Sequence, residues 1–127
     1  MRAEQISELR FTAPIQIISE ANNRDHWRER RRRQITQKQE VWIAMHQALK
    51  SRRISLPCTV KLTRIGMRAL DPDNLANAFK AIQDAIAQKL GVDDGDTAKV
   101  TWTYHQRPTG KQGHALEVDI TTKETET

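Results

Sequence analysis

The sequence predicts an α+β fold: a single domain over residues 1–127, elements in the order β-α-β-α-β-β, and one mixed sheet with helices packed on it. Two stretches at helical spacing alternate with four short β-branched runs, and no internal repeat divides the chain. A chain of 127 residues also buries enough surface for one core without a disulfide or structural metal.

The first strand is expected at Ile15 to Ser19, an apolar β-branched run that Asn22 and Asn23 end as turn residues do. Residues before about 12 are expected to be loosely ordered. A long helix should run from about Asp25 to Lys50, burying a stripe of Ile35, Trp42, Met45 and Leu49, with Trp27 extending it. Pro57 opens the second strand, in which Cys58, Val60, Leu62 and Ile65 face inward. Asp71-Pro72-Asp73-Asn74 ends it, because proline disfavours a helical conformation at the residue before it.

Asp73 is then the expected N-cap of a second helix. Leu75, Ala78, Phe79, Ile82, Ile86 and Leu90 form its apolar face, and Gly91 stops it. An acidic turn follows at Asp93 to Asp96. Val100, Trp102 and Tyr104 alternate as a third strand, Pro108 to Gly113 form a hairpin loop, and Leu116, Val118 and Ile120 alternate as a fourth. The tail at 123–127 has nothing to pack and should be loose.

The composition narrows the function classes. No apolar run is long enough to span a bilayer, and the first residues lack the central apolar stretch of a signal peptide. One cysteine, Cys58, makes no internal disulfide, which fits a reducing cytoplasm. The net charge of +5 suggests an anionic partner. Its distribution says more: Arg24, Arg28, Arg30, Arg31, Arg32 and Arg33 crowd one helix start, while Asp71, Asp73, Asp93, Asp94 and Asp96 gather elsewhere. One region suits phosphates, the other a cation. The four histidines are scattered, none pairs with the cysteine at zinc spacing, and no phosphate-binding glycine loop or nucleophile elbow is present.

Asp71 and Asp73 sit where a strand becomes a helix, and the acidic turn follows the same helix. A strand folding back would bring the two together. Mg²⁺ takes hard oxygen ligands and keeps several waters, so two or three convergent carboxylates suit a nuclease site, with a lysine to stabilise developing charge. Each part also has a plainer reading. Asp-Pro-Asp-Asn serves as a turn and cap, Asp-Asp-Gly-Asp as a solvated turn, and Lys80 with Asp84 as a weak i,i+4 surface pair. Trp102 and Tyr104 read better as core packing than as base-stacking groups.

Together these residues resemble the RusA family of Holliday junction resolvases. The match runs through Asp71-Pro72-Asp73-Asn74-Leu75, Lys80, Asp84-Ala85-Ile86 and Asp93-Asp94, with Ser19 to Arg24 similar to the asparagine-containing turn after the family's first strand. Thr109 to Gly113 before Leu116-Glu117-Val118 resembles its last hairpin, so the likeness covers nearly the whole chain. It implies a Mg²⁺-dependent homodimer, with Mn²⁺ as a possible substitute, that cuts two strands symmetrically across a four-way DNA junction. It further implies Asp71, Asp73 and Asp94 as catalytic metal ligands and Lys80 as the catalytic lysine. Asn23, Arg24, Arg28 and Arg31 are expected to grip the DNA backbone.

The chain departs from the family pattern in its second helix, which is longer by about a turn, and at two site positions. Asn77 stands one turn after the second aspartate, where the family has its lysine, and Asp96 competes with Asp93 and Asp94 as third ligand. Three other functions stay open: a junction-binding protein that does not cut, a nuclease for other branched DNA, and an RNA-binding domain using the arginine-rich helix.

Overall fold

A computed structural model describes residues 3–19, 27–110 and 113–123. The chain forms β1 (Gln5–Ile6), β2 (Glu8–Ala13), α1 (Trp27–Leu49), β3 (Arg53–Ile54), β4 (Cys58–Gly66), α2 (Pro72–Ala78), α3 (Lys80–Leu90), β5 (Val100–Pro108) and β6 (Ala115–Thr122). The main sheet has the order β2-β6-β4-β5. Its first two pairings are antiparallel and β4–β5 is parallel, which makes it the expected mixed sheet of an α+β domain. β1 and β3 add a short parallel pair.

The register stacks side chains in rows across one face of the sheet. Leu9, Ile120, Val60 and Trp102 form one row, and Phe11, Val118, Leu62 and Tyr104 the next. Ala13, Leu116, Arg64 and Gln106 form the last, so this row alone turns polar on passing from β6 to β4. The helices close over these rows, with Val41, Met45 and Leu49 of α1 and Ala81, Ile82, Ala85 and Ile86 of α3 buried. Burial of the larger of these, the valine, leucine, isoleucine and methionine side chains, contributes roughly 1.5–3 kcal/mol each. The opposite face is polar, with Arg10 paired to Asp119 and Arg107 to Glu117.

Several expectations need correction. The first sheet strand is Glu8–Ala13, so residues expected to be loose are paired, and Ile15 to Ser19 is unpaired chain. Leu9, Phe11 and Ala13 alternate with Glu8, Arg10 and Thr12, whose polarity masks the pattern, while Ile15 and Ile17 are buried without being a strand. Helix α1 buries Gln37, Val41, Met45 and Leu49 at strict i,i+4 spacing. Ile35, Trp42 and Trp27 are exposed, at 47%, 41% and 58%, so only the C-terminal half of the expected stripe faces the core.

The second helix is two helices. At Phe79 the backbone sits at φ −89° and ψ −2°, its N–H turns back to Ala76 O at 3.2 Å, and α3 starts afresh. The buried Phe79 ring stacks on Tyr104 with centroids 5.8 Å apart, which fixes the joint against the sheet. The expected hairpin across Pro108 to Gly113 does not form, because β5 and β6 pair with β4 on its opposite sides and not with each other. Tail residues 124–127 lie outside the described residues. Among the described residues no helix is long and apolar enough to cross a membrane.

Candidate functional site

Strand β5 organises the acidic side of the molecule. Trp102, Tyr104 and Gln106 alternate along one of its faces, and each holds a different piece of the α2–α3 unit. Gln106 grips Leu70 twice, Nε2 donating to Leu70 O at 2.7 Å and Oε1 accepting from Leu70 N at 2.9 Å. A side-chain amide thus replaces a strand partner for the residue before Asp71. Tyr104 Oη donates to Gln83 Oε1 at 2.7 Å. Trp102 Nε1 donates to the backbone oxygen of Asp94 at 2.9 Å.

Asp71, not Asp73, is the N-cap of α2. It is extended at φ −66° and ψ 163°, as the following proline requires, and Pro72 occupies the first helical turn. Its Oδ1 accepts from Asn74 N at 2.8 Å and its Oδ2 from Asn74 Nδ2 at 2.9 Å. Asn74 therefore clamps both carboxylate oxygens while the group stays exposed. Asp73 lies in the first turn, also exposed, where the helix dipole favours an anion. These are hard oxygen donors, and Mg²⁺ commonly takes only one or two carboxylates plus waters and phosphate oxygens, so their chemistry fits that ion.

Asp94 meets a different carboxylate. Gln83 Nε2 donates to Asp94 Oδ2 at 3.4 Å, and Asp94 also interacts with the half-buried Asp84. Asp84 has its carboxyl pKa raised above the ordinary value, first by burial. Lys38 opposes that, the charge and hydrogen bond of Asp94 reinforce it, and Lys80 opposes it weakly. Lys38 Nζ stands 3.8 Å from Asp84 Oδ2, so the surface partner of Asp84 is on α1 and Lys80 is secondary. Burial and the Asp94 charge likewise raise the pKa of Tyr104, with the Gln83 hydrogen bond opposing them.

The expected site residues are thus divided. Asp71 and Asp73 share the start of α2, Lys80 opens α3, and Asp94 lies after α3 beside Asp84. The β5 anchors of these two acidic regions, Gln106 and Trp102, are four residues apart, or about 13 Å along a strand. Among the described residues no group of three or more His, Cys, Asp or Glu side chains is placed to hold a metal ion. Asp93 and Asp96 spend their side chains on the turn, accepting from Gly95 N and Ala98 N at 3.1 Å each.

Of the expected DNA contacts, Asn23 and Arg24 lie outside the described residues. Arg28 and Arg31 are exposed near the start of α1, with the Arg28 guanidinium 5.4 Å from the Trp27 ring centroid. Arg32 and Arg33 line a groove of about 430 Å³ between α1 and the chain at Pro14 to Ile18. The sequence alone marks out none of Gln83, Gln106 and Arg64. Gln106 stands at the next position of the Trp102–Tyr104 alternation, the one signal that could have found it.

No family model matches the chain, and no curated protein matches it either. The fold and site define an α+β domain with two acidic regions aligned along one strand and an arginine-rich helix start.

Proposed function

We propose that the protein is a Mg²⁺-dependent endodeoxyribonuclease of the RusA type, which resolves four-way DNA junctions as a homodimer in the cytoplasm. The observation that supports this best is the anchoring of Asp71. Gln106 holds its neighbour and Asn74 holds its carboxylate, so an exposed anion at a helix start is rigidly aimed. A catalytic group gains most from being positioned before substrate arrives.

Asp71 and Asp73 would hold Mg²⁺, or Mn²⁺ in its place, and Asp94, as third carboxylate, would have to reach the ion from the second acidic region. The bound ion supplies Lewis-acid charge at the phosphate and eases deprotonation of water. Water adds its oxygen to phosphorus, one P–O ester bond breaks, and the departing oxygen takes up a proton. The Lys80 ammonium adds positive charge for the transition state. Asn23, Arg24, Arg28 and Arg31 contact phosphates, which gives affinity and salt dependence without sequence choice. Two symmetric cuts need two sites, which a twofold dimer provides.

A labelled four-way junction and a matched linear duplex, each with Mg²⁺ or EDTA, test this reading. Paired nicks confined to the junction, dependent on Mg²⁺ and reduced on the order of 10³-fold in Asp71→Asn, are expected. Junction binding should survive the substitution. One observation favours a second reading, a junction-binding protein that does not cut: Asp71, Asp73 and Asp94 do not form one cluster among the described residues. Tight binding with no nicks in either metal would establish that alternative.

A further inference from the structure

Arg64 occupies an inward position that the alternation of Cys58, Val60 and Leu62 would give to an apolar side chain. It is 94% buried by the complement of its 6% exposure. A guanidinium stays charged inside a protein, and a buried cation without a counter-ion is costly. Yet its two hydrogen bonds both go to neutral backbone oxygens, Nε to Ile17 O at 2.7 Å and Nη1 to Arg68 O at 2.6 Å. Among the described residues no carboxylate pairs with it. Its pKa is lowered by burial, with no neighbouring charge acting the other way.

Clamping two carbonyls does not call for a cation, since a neutral amide has donors enough. Two further features suggest what the charge is for. The guanidinium lines a cavity of about 240 Å³ with Gly66, Gln106 and Arg107, and Nη2 has no acceptor among the described residues. It also lies flat over Gly66, where an added Cβ would come within 2.6 Å of Cζ, 2.7 Å of Nη2 and 2.8 Å of Nη1. The backbone has left space for this one planar group. Arg107, at the rim, is already neutralised by Glu117, so Arg64 is the cavity's uncompensated charge among the described residues. Gln106 joins the cavity to the Asp71 anchor, because it lines the one and grips Leu70 in the other.

We propose that Arg64 and its cavity form an anion subsite that takes one backbone phosphate of the nucleic acid, next to the strand presented to Asp71 and Asp73. The source of that phosphate rests on the nuclease reading, while the subsite itself rests on the buried charge. A phosphate supplies the missing counter-ion and accepts from the planar fork through two oxygens. The site is sequence-blind, since phosphate contacts position a strand without reading it.

The test measures junction binding in EDTA, so that affinity is scored apart from cutting, for the whole chain and for Arg64→Gln, Arg64→Lys and Gly66→Ala. Arg64→Gln should weaken binding about tenfold, as loss of a charge-assisted hydrogen bond does, and lower the salt-dependence slope by about one. Arg64→Lys should keep the slope but lose affinity, and Gly66→Ala, which displaces the guanidinium, should behave like Arg64→Gln. Inorganic phosphate at constant ionic strength should shift the Arg64 Nε–Hε resonance of the wild-type protein, a readout that needs no variant to fold for the titration itself. Folded Arg64→Gln with unchanged affinity and slope, or a resonance unmoved by phosphate, would overturn the subsite and leave a carbonyl clamp. Loss of affinity in Arg64→Gln with no cutting by wild type would uphold the subsite and remove the nuclease reading. Cutting by wild type with a neutral Arg64→Gln would do the reverse.

Discussion

The two acidic regions of the α2–α3 unit are close in sequence character and opposite in physical state. At the start of α2, Asp71 and Asp73 are exposed, and both carboxylate oxygens of Asp71 accept from Asn74. At the far end, Asp84 is half-buried beside Asp94, and burial holds its pKa up. One region presents its carboxylates to solvent. The other bears a tension that a proton, a lysine or another cation would relieve. Aspartate density alone therefore does not identify a site, because environment decides what each carboxylate does. Both regions hang from one strand, through Gln106 at one end and through Trp102 and Tyr104 at the other.

The joint between the regions offers the largest way to break the comparison. Phe79→Ala empties a fully buried position and should cost about 3–5 kcal/mol in denaturant unfolding. Both acidic regions should loosen together in hydrogen exchange. If only one loosens, Phe79 is not the shared joint.

Gln106→Ala acts on the first region alone. It leaves the Leu70 N–H and C=O without their partner and should cost about 1–3 kcal/mol. Cutting should fall with it while the Asp84 environment is unchanged, which separate stability and cleavage assays would show. Tyr104→Phe acts on the second region. It removes one hydrogen bond to Gln83 and should cost about 1 kcal/mol, measured by thermal unfolding.

The smallest effect is the most diagnostic in sign. A carboxyl whose folded pKa is raised binds more protons folded than unfolded, so its contribution to stability falls as pH rises from the ordinary value of 3.8 through the folded pKa. Asp84→Asn should therefore raise stability at neutral pH by a few tenths of a kcal/mol, reduced by solvent screening and by loss of the Lys38 contact. Below pH 3.8 the gain should vanish. Unfolding midpoints of both proteins across pH 3 to 7 check it, on a scale of about one pKa unit per 1.4 kcal/mol. A gain that persists in acid would mean that the raised pKa is not its source.

Much of the architecture was legible in the chain. The α+β class, the strands from Cys58 and Leu116 and the helix stop at Gly91 follow from local chemistry, whereas the cap of α2 falls at Asp71, two residues before the expected Asp73. Gly91 sits at φ 76°, a left-handed conformation that glycine adopts without strain. Asp71, Asp73 and the arginine run were legible as candidates because carboxylates and guanidiniums name their own chemistry. The errors share a cause. Hydrophobicity alone places Ile35 and Trp42 in the core, whereas α1 seats its Gln37–Val41–Met45–Leu49 line on its neighbours. Likewise the polar Arg10 and Thr12 mask Phe11, and sequence adjacency suggests a hairpin at Pro108 to Gly113 that the strand order does not contain.

What the sequence determined by itself, then, is everything set within a few residues: helix starts and stops, strand alternation, the charge-rich segments and the residue types available for chemistry. What only the tertiary structure decided is which of these meet. Asp94 joins Asp84, Gln106 holds Leu70, and Arg64 is buried without a counter-ion among the described residues. The physical reason is that local propensities act over one or two turns, while strand register acts across the sheet. The β4–β5 pairing that sets Arg64 beside Gln106 joins residues 42 positions apart, Arg64↔Gln106, and no local signal carries that distance.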